Sequence, residues 1–244
     1  MTNEIGRGAR NLLLPAAVLS AGLVLAAIVF GLFFRSARQP ERTITVTGAA
    51  TRAFEADRIK WRLSISRMVG EQDLAAGFEQ IREDVAAIRA QLATAGLPDS
   101  ALILQPPSAQ PQYSPQGGRS GYSVVQPIYV LSSDIERVES VALEPGRILS
   151  PGMALEYSQL EYFYDGIAEL KHALLADATR DAKRRAEEIA GSTDGTVGPM
   201  AAARAGVFQI TEPYSTDVAG YGIHNTSTRR KEITVTVHGE FRID

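Results

Sequence analysis

RIKWRLSIS, residues 58–66, alternates without a break. Successive side chains of an extended chain point to opposite sides, so Ile59, Trp61, Leu63 and Ile65 share one face while Arg58, Lys60, Arg62, Ser64 and Ser66 share the other. A strand with one apolar and one wet face makes the body of the chain a sheet that packs on one side. The basic row reads as a solvated face balanced by neighbouring carboxylates rather than a docking stripe for acidic partners. Just upstream, TITVT at residues 43–47 predicts a shorter strand, with Gly48 as its turn.

Downstream, Gly70 breaks the strand and residues 71–95 predict a helix. Leu74, Phe78, Ile81, Val85, Ile88 and Leu92 form its apolar stripe, Glu79, Glu83 and Asp84 sit on the wet side with Arg82 and Arg89, and Gly96 and Pro98 end it. Residues 101–105 predict a short strand. The following QPPSAQPQYSPQGGRSG is rich in Pro, Gln, Ser and Gly, and predicts a surface loop over 106–120. Residues 122–131 predict another strand, in which Pro127 points to an edge or a bulge.

Asp134 is placed to cap a brief helix over 135–143, ended by Pro145 and Gly146. EYSQLEYFY, 156–164, reads as an aromatic-rich strand. Asp165 then opens, as its cap, the longest helix of the body, running to Ala190 and closed by Gly191. Its inner face narrows from Ile167, Leu170 and Leu174 to Ala178, Ala182 and Ala186, with Ile189 last, and an alanine seam lets a helix lie close to its neighbour. Within residues 200–210 one more strand is expected, and the polar segment 211–230 is either a functional projection or a disordered insert. The final strand, 232–243, puts Ile233, Val235, Val237, Phe241 and Ile243 on one face, a regularity that predicts a central place in the sheet. Its ITVT repeats that of residues 44–47 and hints that the two ends of the body pair.

Ahead of all this lies LLLPAAVLSAGLVLAAIVFGLFF, residues 12–34, 23 residues without an ionisable group. Roughly 20 apolar residues suffice for a helix to cross the hydrocarbon core. The reading is a single transmembrane helix, with a short head at 1–11, a tether at 35–42 and an α+β body at 43–244; Pro15 is expected in the first turn, where its missing N–H costs little. A cleaved signal has a shorter apolar core, about 7 to 15 residues, and a small-residue cleavage site. Here the run ends in Phe33, Phe34 and Arg35, so an uncleaved anchor is expected. Arg7 and Arg10 flank one end and Arg35, Arg38 and Arg42 the other, so charge does not decide the orientation. The ten-residue head presents little to translocate, and the expected arrangement keeps it inside and exports the body.

Outside residues 1–42 the chain carries 20 basic and 26 acidic residues, a net charge of −6, which does not indicate nucleic-acid binding. With no cysteine, disulfide and thiolate chemistry are excluded. His172, His224 and His238 have no metal-ligand spacing, and no metal site is expected. His224 and Asp217 could be joined to a serine on paper, but no Gly-x-Ser-x-Gly elbow accompanies them. Gly117, Gly118 and Gly121 follow a Pro-rich loop rather than a strand, so they make no phosphate cradle. No catalytic, cofactor-binding or metal residue is therefore assigned, and no cofactor and no enzymatic activity are expected.

TITVTGAATRAFEADRIKWRLSI resembles the opening of the SIMPL-domain (DUF541) family: a strand ending in glycine, a short bend, and an acid leading into a second alternating strand, with Gly48 and Asp57 at the matching positions. GYSVVQPIYVLSSDIERV is similar to the family's tyrosine-led strand into a short helix, and ADATRDAKRRAEEIAGSTDGTVG to its alanine-rich charged helix. Phe163 and the closing ITVTVHG also fit, so the likeness spans about residues 43–243. It implies an α+β domain of antiparallel or mixed strands with two long helices, anchored single-pass in the bacterial inner membrane with a periplasmic body. It also implies self-assembly into a large ring or channel-like homo-oligomer and a link to stress tolerance, and it brings no enzymatic residues. The partners expected are the bilayer, through residues 12–34, and further copies of the chain, with the loops 106–120 and 211–230 as contact surfaces. The alternative is an envelope sensor or binding module that captures a ligand or partner on those loops.

Overall fold

The computed structural model describes residues 5–37 and 42–244. Helix α1 (Ile5–Ala37) is longer than the expected 12–34 at both ends. Residues 35–37 contain no helix breaker, so the helix continues into what reads as tether, and the described part of the head, residues 5–11, is helical throughout. Pro15 lies inside the helix rather than in its first turn. No residue of Ala17–Phe34 is buried, and the helix is long and apolar enough to cross a membrane. The parts of the head and tether at residues 1–4 and 38–41 fall outside the described residues.

The body is α+β, built on two five-stranded sheets. The first joins β1 (Thr43–Glu55), β7 (Val197–Ala205), β8 (Gln209–Thr211), β9 (Ile223–His224) and β10 (Arg230–Ile243). β10 is central, as its alternation predicts: it pairs antiparallel with β1 from Thr43↔Arg242 to Glu55↔Arg230, and with β7 and β8 on its other side. The two ends of the body therefore do pair. The second sheet joins β2 (Arg58–Val69), β3 (Leu102–Leu104), β4 (Ser108–Tyr113), β5 (Arg119–Ser132) and β6 (Ala154–Phe163), with β2 between β5 and β6. Ile59, Trp61, Leu63 and Ile65 are all buried. The wet face is balanced as expected: Arg62 and Lys60 meet Glu161 at 3.1 and 3.7 Å, and Arg58 meets Asp165 at 2.6 Å.

Helix α2 (Leu74–Thr94) lays Ile81, Val85, Ile88 and Leu92 on the second sheet, with α3 (Ile135–Ala142) beside it. The Asp134 carboxylate accepts the backbone N–H of Arg137 at 3.1 Å, the cap that the sequence predicts. Asp84 departs from expectation. It is buried on α2's inner face and takes two hydrogen bonds from Arg67 of β2, at 2.6 and 2.8 Å, so its charge is compensated and not solvated.

Helix α4 (Ile167–Gly191) covers the first sheet with Leu170, Leu174, Ala178, Ala182, Ala186 and Ala190. Ile189, expected in the seam, is half exposed, and Ala190 takes its place. The seam explains why β1 does not turn at Gly48 but runs straight on to Glu55: a Cβ at residue 48 would lie 2.2 Å from both the Ala178 carbonyl oxygen and the Ala182 nitrogen. Glycine is there for the helix's close approach, not for a turn. Asp165 is not the cap of α4. Gly166 holds that position without a side-chain bond, while the Asp165 carboxylate pairs with Arg58.

The loop expected at 106–120 is largely sheet. β4 pairs with β5 from Ser108↔Val125 to Tyr113↔Arg119, because the prolines leave the backbone extended and Gly117, at φ +85°, makes the turn. Pro127 sits where the neighbour of β5 changes from β3 to β4, inside the sheet rather than at its edge.

Candidate interaction surfaces and a buried lysine

The segment 211–230 is an ordered projection. Its base is pinned by Gln209, whose side chain donates to the Ala219 carbonyl at 2.8 Å and accepts from the Ala219 N–H at 3.4 Å, and by Asn225, which donates to Glu212 at 2.7 Å. β9 adds a parallel pairing to β8. From this base Tyr214, Val218 and Tyr221 stand out at 94%, 81% and 93% exposure. Held out on a hydrogen-bonded frame, these side chains are available for contact with a partner surface.

Of the lateral strands of the first sheet, β1 and β7 differ. The outward N–H of Ala49 on β1 is taken by Asp181 of α4 at 3.0 Å, and Arg52 bonds Asp177 at 2.7 Å, so α4 engages that edge at these two residues. The Ala49 N–H, followed by Arg185 and Arg184, holds the Asp181 carboxyl down at about 2. On β7, residues 201–205 are exposed throughout. Between β7, the projection and the open face of β10 lies a cleft of about 450 Å³ that includes Arg204, Val218 and His238. His238 shares a 2.8 Å hydrogen bond with Thr47.

Deeper in, Lys231 is 3% exposed. It stands in phase with Ile233, Val235 and Val237 on β10, so the strand's own alternation carries it inward. Its ammonium donates to the carbonyls of Tyr162 at 2.5 Å and Asn225 at 2.7 Å, and among the described residues no carboxylate lies within ion-pair distance of it. Burial pushes its pKa down to about 8. Sequence reasoning missed Lys231, although the period of two was the signal.

His224 lies beside it. Partial burial, then Lys231 and Lys171, lower the imidazole pKa. Among the described residues its ring makes no hydrogen bond to a serine; the Asp217 N–H donates to Ser215 and the Ser227 hydroxyl donates to Asn225. The triad drawn on paper is not assembled here, and no cluster of three metal-ligating side chains occurs among the described residues.

Against this geometry stands a family match: residues 44–241 match SIMPL, described as a protein of unknown function (DUF541). The chain belongs to the SIMPL family. The match takes in both sheets and helices α2 to α4, and leaves α1 outside. No curated protein matches the chain. Within this SIMPL domain the projection and Lys231 both lie in the first sheet's half.

The lysine makes a signed prediction. Its folded pKa, about 8, lies below the ordinary 10.5, so between those values the folded chain holds fewer protons than the unfolded one and stability rises with pH. Thermal unfolding of the full-length protein in detergent is expected to show the wild type gaining on the Lys231→Met variant between pH 8 and 10.5. A falling difference would contradict a desolvated ammonium.

Proposed function

We propose that this protein is a non-enzymatic, membrane-anchored envelope protein whose SIMPL domain self-assembles into a large homo-oligomer, a ring or channel-like scaffold. α1 is its anchor in the bacterial inner membrane, and the domain sits on the periplasmic side. The observation that carries the reading is the projection 211–230, whose frame is fixed by hydrogen bonds while Tyr214, Val218 and Tyr221 are left in solvent. A second copy is the occupant that fits it. Exposed β7 runs alongside and continues the same surface, and α4 bonds to β1 at the opposite side of β10, so the two sides of the sheet are unlike, as a head-to-tail assembly requires. Multiple anchors in one assembly add avidity for the bilayer.

The test is the double variant Tyr214→Ser/Tyr221→Ser. Extracted in detergent, it is expected to shift from the assembled mass to the single-chain mass with its circular dichroism unchanged. Retention of the full assembly would remove the projection from the interface. For orientation, added protease is expected to digest the domain in spheroplasts and to spare it in intact cells.

A further inference from the structure

The Lys231 ammonium has three N–H donors, of which two go to the Tyr162 and Asn225 carbonyls. The third makes no hydrogen bond among the described residues, although the side chain is almost completely enclosed. Carbonyl dipoles lessen the desolvation cost of a buried cation but leave its charge uncompensated. Lys231 lines a cavity of about 100 Å³ with aromatic walls from Phe54, Phe163 and Tyr164.

Lys231 is the charged side chain of this lining. His224 also lines it, with its imidazole held toward the neutral form by burial and by Lys231 and Lys171. Ile167, the first residue of α4, forms another wall, and with Gly166 offering no side-chain cap the helix's positive end lies at the cavity. Three carboxylates stand at that helix end and none of them lines the cavity: Asp165 is engaged by Arg58, the Asp57 carboxylate accepts the Asp165 N–H at 2.9 Å, and Glu169 is exposed. A buried cation with an unused donor, a helix N-terminus and apolar walls suit one kind of ligand, an anion with a small apolar body.

We propose that this cavity binds a short-chain monocarboxylate, its carboxylate taking the third N–H of Lys231 and its alkyl tail lying among the aromatic rings. The volume favours a small ligand. About 100 Å³ has room for a few waters and accommodates a molecule such as propionate, whereas the chain of a fatty acid would have to extend out of the cavity. The cavity touches the base of the projection through His224 and the Asn225 carbonyl, but the exposed Tyr214, Val218 and Tyr221 do not line it, so ligand binding and assembly are tested by different variants.

The test titrates full-length protein in detergent with sodium propionate at constant ionic strength and reads both binding heat and the shift in unfolding temperature. Saturable binding with a rise in unfolding temperature is expected, with propionamide, of equal shape and no charge, at least tenfold weaker, and decanoate likewise. Lys231→Met is expected to weaken propionate at least tenfold. Ile167→Phe, which fills the cavity and keeps the charge, serves equally if the lysine variant fails to fold, and should weaken it by a similar factor. The proposal is overturned if propionate does not bind, if propionamide or decanoate binds as well as propionate, or if a folded variant of either kind binds it like the wild type.

Discussion

Gly48→Ala is expected to destabilise the first sheet by about 3 kcal/mol or more, a large part of the roughly 5–15 kcal/mol that holds a typical domain together. The new methyl would sit 2.2 Å from two backbone atoms of α4, the Ala178 oxygen and the Ala182 nitrogen, and 2.7 Å from the Ala182 Cα. Backbone atoms cannot rotate away as a side chain can. To admit the methyl, α4 must lift, which opens the Ala178, Ala182 and Ala186 contact and stretches the Ala49 N–H bond to Asp181. Urea unfolding of the full-length protein followed by circular dichroism should show the lowered midpoint. A midpoint equal to the wild type's would mean that α4 does not lie so close to β1.

Asp84→Ala is expected to cost about 3–5 kcal/mol, because it leaves Arg67 largely buried without its counter-charge. The pair is bidentate at 2.6 and 2.8 Å, and the Asp84 and Arg67 side chains are 3% and 17% exposed. The hydrogen bond to Asp84 is the first reason that the Arg67 pKa is raised. Replacing both partners, Arg67→Met with Asp84→Leu, should restore most of the loss, since apolar groups of similar volume carry no desolvation penalty. The chain has one tryptophan, Trp61, buried in the same sheet, so its fluorescence reports this unfolding directly. If Asp84→Ala unfolds at the wild-type midpoint, the pair is not buried in solution.

These two sites show where sequence patterns stop. The period of two at residues 58–66 and 232–243 foretells the apolar faces of β2 and β10 and the central place of β10, because half-buried strands must alternate. The alanine seam announces a close approach. Its partner Gly48 reads as a turn, since local sequence does not show that a helix 130 residues later will cover the strand. Charge alone places Asp84 in water, and only the register of α2 on β2 brings Arg67 to it. Prolines at 106–120 suggest a loop, yet an extended backbone that lacks some donors still serves as a short lateral strand.

The contact surfaces are partly legible. Length and polarity mark 211–230 as a projection, but which side chains it displays depends on the Gln209 and Asn225 bonds that frame it. Lys231 is legible by phase but not by residue type: a charged side chain occupies an inward position of β10 because carbonyls from β6 and from residue 225 receive it. The apolar run before the body is plain from composition, and the helix formed there is longer than the run.

The central claim is that the SIMPL domain works by assembling beside the membrane, and the mass of the full-length protein tests it most directly. Mass photometry of the wild-type chain extracted in mild detergent at micromolar concentration is predicted to show one dominant species of many chains. A single peak at the mass of one 26.3 kDa chain with its detergent would contradict it.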